Sequence, residues 1–150
     1  MRPYLFDRSH WRVTHIASMP EFFRELGVLV PDGSILALAD GAWPDVVLAW
    51  FALNKPSSVP EPCGPTGEFT NAHFVVVSQK SMAELARLAE SHAGPEIAIH
   101  LGVFHEGNSL VEWFDAPDDP LSVAVSIPEA AVRSFANRTG AECVRIERGV

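Results

Sequence analysis

Glu96-Ile-Ala-Ile-His-Leu-Gly-Val-Phe-His-Glu-Gly-Asn-Ser-Leu-Val-Glu-Trp-Phe-Asp-Ala-Pro-Asp-Asp-Pro-Leu-Ser-Val-Ala-Val-Ser126 holds three β-rich runs separated by two turn signals. The runs are Glu96–His105, Ser109–Phe114 and Leu121–Ser126. Glu106-Gly107-Asn108 reads as a tight hairpin turn, and Ala116-Pro117-Asp118-Asp119-Pro120 as a second turn. Together they predict a three-strand antiparallel meander. Alternation places Ile97, Ile99, Leu101 and Val103 on a core face, with Ala98, His100, Gly102 and Phe104 opposite. A three-residue turn would pair Val103 with Val111 and Leu101 with Trp113. His100, Phe104, Leu110, Glu112, Phe114 and Ser122 would then share the second face, and a one-residue slip would undo that grouping.

Outward from the meander, three Ser-x-x-Glu signatures predict helix starts: Ser18…Glu21, Ser81…Glu84 and Ser126…Glu129. The first helix runs about Met19 to Leu26 with Gly27 as its stop, the second about Met82 to His92, the third about Pro128 to Arg138 with Gly140 beyond. A fourth starts at Pro44 and carries Val47, Leu48, Trp50 and Phe51. Further strands are expected at Ser34–Ala39, Ala72–Ser78 and Glu142–Ile146. The order predicts one α/β (α+β) domain over residues 1–150, with a mixed, largely antiparallel sheet and helices chiefly on one face. Its second half reads β-α-β-β-β-α-β. Residues 54–71, with Pro56, Pro60, Pro62, Pro65, Gly64 and Gly67, form a long loop without periodicity, the kind that is either an ordered lid or a floppy insertion.

The bulk numbers set boundaries. A chain of 150 residues with 47% apolar and 20% charged residues can bury a core without metal or disulfide support. A net charge of −8 and a pI near 5.1 argue against general nucleic-acid binding. No apolar run approaches the roughly 20 residues of a membrane span. Cys63 and Cys143 have no ligand-like spacing and suit free thiols in a reducing, cytoplasmic setting. Between Leu88 and Val132 there is no Lys or Arg, while Glu90, Glu96, Glu106, Glu112, Asp115, Asp118, Asp119 and Glu129 all fall there. Bases recur at the two ends: Arg2, Arg8 and Arg12, then Arg133, Arg138, Arg145 and Arg148. Salt bridges to the acidic middle are their expected role.

Two functional expectations follow. The leading one is a non-enzymatic domain whose acidic meander engages a basic protein partner, such as a toxin it would neutralise. Its contact residues would be Trp113, Asp115, Asp118 and Asp119, with Trp43 as an exposed anchor beside Pro44. The alternative is a small-molecule site or small enzyme on the open sheet face, with His100 as base and Glu112 as its orienting partner, covered by the 54–71 loop. His100 and His105 point to opposite faces, His10 and His15 lack helical zinc spacing, and the Asp115–Asp119 turn lacks an EF-hand pattern, so no metal or cofactor is expected. Cys63 lacks a base or helix terminus beside it in the sequence. No phosphate-binding glycine motif is present. An exposed sheet edge would allow a homodimer.

Val30-Pro-Asp-Gly-Ser-Ile-Leu-Ala-Leu-Ala-Asp-Gly41 and Leu110–Glu129, continuing through Val132-Arg-Ser-Phe135, resemble a family of small bacterial proteins of uncharacterised function. The resemblance covers about a third of the chain. It implies a bacterial cytoplasmic protein and carries no activity or site residues with it.

Overall fold

A computed structural model describes residues 4–58, 69 and 71–149. Seven strands form one sheet: β1 (His10–Thr14), β2 (Ile35–Ala39), β3 (Ala72–Val76), β4 (His100–His105), β5 (Asn108–Trp113), β6 (Leu121–Ala124) and β7 (Glu142–Ile146). Their spatial order is β3-β2-β4-β5-β6-β1-β7, and every neighbouring pair is antiparallel. Four helices accompany them: α1 (Met19–Leu29), α2 (Asp45–Asn54), α3 (Gln79–Ser91) and α4 (Glu129–Arg138). The α+β single-domain class expected from the sequence is the class observed.

Two cross-strand rows organise the sheet. Val75–Leu36–Val103–Val111–Val123–Trp11–Arg145 runs across all seven strands on the helix-covered face. Its aliphatic members join Phe22, Phe23, Leu26, Met82, Leu85, Val132 and Phe135 in the main core. Trp113 packs on Phe22 at 4.8 Å between ring centroids, and Phe22 meets Phe135 edge-on. At the sheet margin, Arg133 and Arg145 each lie 5.4 Å from the Trp11 ring centroid, capping that core with cation–π contacts. The second row, Phe74–Ala37–Gly102–Glu112–Ser122–Arg12–Val144, lies on the opposite face, where successive side chains of each strand must point.

The meander register matches the pairing expected for a three-residue turn, Leu101 with Trp113 and Val103 with Val111, but by a different route. The turn itself has two residues, Glu106 and Gly107, both with positive φ (50° and 80°), and His105 pairs with Asn108. Such a turn fits the strand twist. A bulge between Val103 and Phe104 absorbs the extra residue and restores the register.

Helix boundaries differ from expectation where tertiary contact decides. Ser18 caps α1 by accepting from the Glu21 N–H at 3.3 Å, as its signature predicts. Gly27 does not stop that helix. It lies inside α1, where a Cβ would sit 3.1 Å from Met82 Cβ, so glycine lets α1 approach α3 closely. On α3 the cap is Ser78 rather than Ser81, the two serines exchanging hydrogen bonds in a capping box. Pro128, without a side-chain cap, precedes α4. The sequence reading also omits β1, which sits inside the sheet between β6 and β7.

Candidate functional site

The face opposite the helices divides into two parts. Over β2 and β4, Phe69 is buried against Ala37, Ala39 and Phe104, forming a small second core with Phe74 and Phe114 at its margin. A Cβ on Gly102 would lie 2.6 Å from Phe69 Cζ, so the absence of a side chain there is what admits the ring. Phe69 belongs to the long 54–71 loop; residues 59–68, including Cys63, and residue 70 lie outside the described residues.

Over β5, β6 and β1 the same face opens into a cavity of about 270 Å³. Phe6, Phe114 and Pro120 supply apolar walls, while His10, Arg12, Ser122, Arg148, Glu112 and Asp119 supply polar groups. Each polar group has a traceable position. Arg12 and Glu112 both pair directly with Ser122 in the second cross-strand row. Arg148 arrives from the segment after β7: its backbone N–H donates to Ser9 Oγ at 3.0 Å, and its Nε donates to the Phe6 carbonyl at 3.2 Å. Phe6 belongs to a single 3-10 turn, Leu5–Asp7. That turn is held to the sheet by the Leu5 N–H, which donates to Glu112 Oε1 at 2.7 Å. Ser109 Oγ donates to Glu112 Oε2, also at 2.7 Å.

The cavity carries positive charge. Among the described residues Arg12 and Arg148, both exposed, have no carboxylate within salt-bridge distance, as is also true of Arg8 and Arg87, whereas Arg24, Arg133, Arg138 and Arg145 do. His10 is buried, and its Nδ1 lies 2.8 Å from the Arg8 carbonyl. A carbonyl can only accept, so Nδ1 carries the proton. Burial holds the His10 pKa below its ordinary value. The hydrogen bond to Arg8 partly opposes this, and the charges of Arg12 and Arg148 lower the pKa further. The neutral ring therefore has a bare Nε2, for which no partner exists among the described residues. Ser122 is likewise buried, and its hydroxyl has no hydrogen-bond partner among the described residues. Two cations, a lone-pair nitrogen and a hydroxyl thus converge in one small cavity, an arrangement suited to an anionic group bearing a second polar function.

The residues expected from sequence fall elsewhere or play other parts. His100 and Glu112 share the open face but do not meet. His100 Nδ1 accepts from the Asp115 N–H at 3.0 Å, its Nε2 lies 3.7 Å from Asp40 Oδ2, and its ring packs near Phe114. Phe69 occupies the space over Gly102, the strand partner of Glu112. His100 therefore clips the β5–β6 turn, where Asp115 has a positive φ of 53°, instead of acting as a base for Glu112. Trp113 is only 1% exposed and donates from Nε1 to the Asp119 carbonyl at 2.7 Å, so it offers nothing to a partner. Trp43 is half-buried, not exposed. Its Nε1 donates to the Ile97 carbonyl, and its ring meets His73 and Phe51 edge-on. Asp115, Asp118 and Asp119 are exposed as expected, with the Asp118 and Asp119 N–H groups donating to the Asp115 carbonyl.

The acidic stretch is also less uniform in space than in sequence. Glu90 pairs with Arg24, Glu129 with Arg133, Glu96 accepts from the Ala93 N–H, and Glu112 is buried. Conversely, the basic ends do not all spend themselves on acids: Arg12 and Arg148, distant in sequence, meet at the cavity. Sequence reading missed His10, Arg12 and Arg148. The available signal was the alternation of His10, Arg12 and Thr14 against Trp11 and Val13, a half-buried strand pattern.

A larger groove of about 680 Å³ lies beside the α1 C-terminus and the β4–β5 turn. Val28, Val30, Pro31, Val125 and Ile127 give it a largely aliphatic lining, and His105 there faces Glu106 at 3.7 Å. Among the described residues no cluster of three or more His, Cys, Asp or Glu side chains could hold a metal ion. No helix among them is long and apolar enough to cross a membrane. No protein-family model, curated protein or solved structure matches the chain.

Proposed function

We propose that this domain binds a small organic anion in the open-face cavity, with Arg12 and Arg148 taking its carboxylate or phosphate oxygens. The observation that carries this reading is the convergence on a partly apolar pocket of two guanidiniums that have no carboxylate partner among the described residues. Arginine pairs suit planar oxyanions because each guanidinium presents parallel N–H donors. The small volume favours a low-molecular-weight ligand over a polymer. A basic protein partner finds less support, since Glu112 and Trp113 are buried and only Asp115, Asp118 and Asp119 of its expected surface are exposed.

Isothermal titration calorimetry with 3-phenylpropanoate, 3-phenylpropanamide and inorganic phosphate tests the reading. One of the two anions should bind and the uncharged amide should not. Arg12→Gln should weaken binding about 10- to 100-fold, the usual worth of a charge-assisted hydrogen bond. Equal affinity for the acid and the amide, or unchanged affinity in Arg12→Gln, would exclude it.

A further inference from the structure

We infer that the cavity selects a 2-hydroxy carboxylic acid with a short apolar side chain, His10 Nε2 and Ser122 reading the hydroxyl while Arg12 and Arg148 hold the carboxylate. This inference rests on the anion-binding reading and adds what the ligand's second group must be. Anion binding alone needs the guanidiniums only. A buried imidazole with its single proton fixed on Nδ1 by the Arg8 carbonyl is an acceptor toward the cavity, and a bare anion has nothing to donate to it. A protonated imidazole would instead add a third cation. Burial and the two neighbouring guanidiniums oppose that form, while Glu112 is committed to the Leu5 N–H and Ser109. Asp119, exposed at the rim, is the remaining titratable group of the lining. The ligand that satisfies every group therefore carries an acceptor pair beside a donor. Ser122, able to donate or accept, completes the set from the neighbouring strand. Arg12 and Ser122 are directly paired, and His10 is paired with Ala124, two residues beyond Ser122 on the same face. Ser122 thus stands directly across from Arg12, so a carboxylate held by the guanidinium can present a neighbouring hydroxyl to the serine. Phe6, Phe114 and Pro120 leave an apolar wall for the side chain.

Three isosteric probes separate the claims: 3-phenyllactate, phenylalanine and 3-phenylpropanoate, each titrated into the intact protein at pH 7.5. The hydroxy acid should bind on the order of tenfold or more tighter than the acid lacking the hydroxyl, because a site built around a hydroxyl leaves polar groups unpaired when it is missing. Phenylalanine should gain less, since its ammonium meets the two guanidiniums. In ¹⁵N NMR of labelled imidazoles, the His10 Nε2 resonance should shift with 3-phenyllactate and stay in place with 3-phenylpropanoate. Ser122→Ala, which removes one oxygen and keeps the strand, should reduce the hydroxyl preference. Equal binding of 3-phenyllactate and 3-phenylpropanoate, with Arg12→Gln still weakening both, overturns the hydroxyl assignment and leaves anion binding standing. A gain confined to phenylalanine overturns it too and moves the donor-reading role to Asp119. No binding by any of the three overturns the hydroxy-acid assignment, and if inorganic phosphate also fails to bind it overturns the anion-binding reading as well.

Discussion

The two halves of the open sheet face start from similar material and end differently. Over β2 and β4, small residues at Ala37, Ala39 and Gly102 make room for one aromatic ring, and Phe69 fills it completely. Over β5, β6 and β1, polar side chains replace the small ones, and a single turn at Leu5–Asp7 covers only part of the surface. One half has become core and the other a cavity. A sheet face needs only one well-fitted cover to become dry, and where the cover is incomplete, unpaired polar groups can be kept at a tolerable cost because water reaches them.

That contrast predicts unequal responses to substitution. Phe69→Ala should be the most damaging change, costing about 3–5 kcal/mol in urea denaturation because it empties a closed aromatic cluster. Gly102→Val attacks the same contact from below. With no room for a Cβ under Phe69, it should cost about 1–3 kcal/mol. On the other half, Glu112→Ala should cost about 1–3 kcal/mol by leaving the Leu5 N–H without its acceptor, while Glu112→Gln, which keeps an acceptor, should cost less. If Glu112→Ala proved as damaging as Phe69→Ala, the distinction between core and cavity would not hold.

Smaller effects sharpen the comparison. His10 and His73 both have lowered pKa values in the folded state, each chiefly through burial. The unfolded chain therefore takes up protons on them first, so stability is fully present above about pH 6.5 and declines as pH falls toward the folded values. His10→Gln should flatten part of that decline in melting temperatures measured from pH 7.5 to 5, and His73→Phe should flatten the rest. An unchanged profile in both variants would assign the acid sensitivity elsewhere. Ser122→Ala should change stability by no more than about 0.5 kcal/mol, since its hydroxyl has no partner among the described residues to lose.

The meander was legible because three features agreed: alternation, a Gly-containing turn and a Pro/Asp turn. Even there, the pairing of Leu101 with Trp113 rests on a two-residue turn plus a bulge, and both leave the same register. Gly27 misled because a glycine inside a helix and one ending it look alike until α3 is placed against it. The cavity was harder to find. His10 and Arg12 lie on a strand with only two strongly apolar members, Trp11 and Val13, and Arg148 follows the last strand. Only the insertion of β1 between β6 and β7 brings them together. The expectation that the terminal arginines neutralise the acidic middle holds for Arg133, which pairs with Glu129, and fails for Arg12, whose strand position faces the open side of the sheet, and for Arg148, which follows the last strand to the same cavity.

The position of β1 also bears on the order of assembly. Its partners are Leu121–Ala124 and Glu142–Ile146, more than a hundred residues further along the chain, so the hairpin-linked β4, β5 and β6 can associate locally long before β1 closes the sheet. The cavity's histidine and both its arginines come from that late-closing junction. A molecule bound there would have affinity only for the finished protein, and would report by its own stabilising effect how much of the population has completed folding.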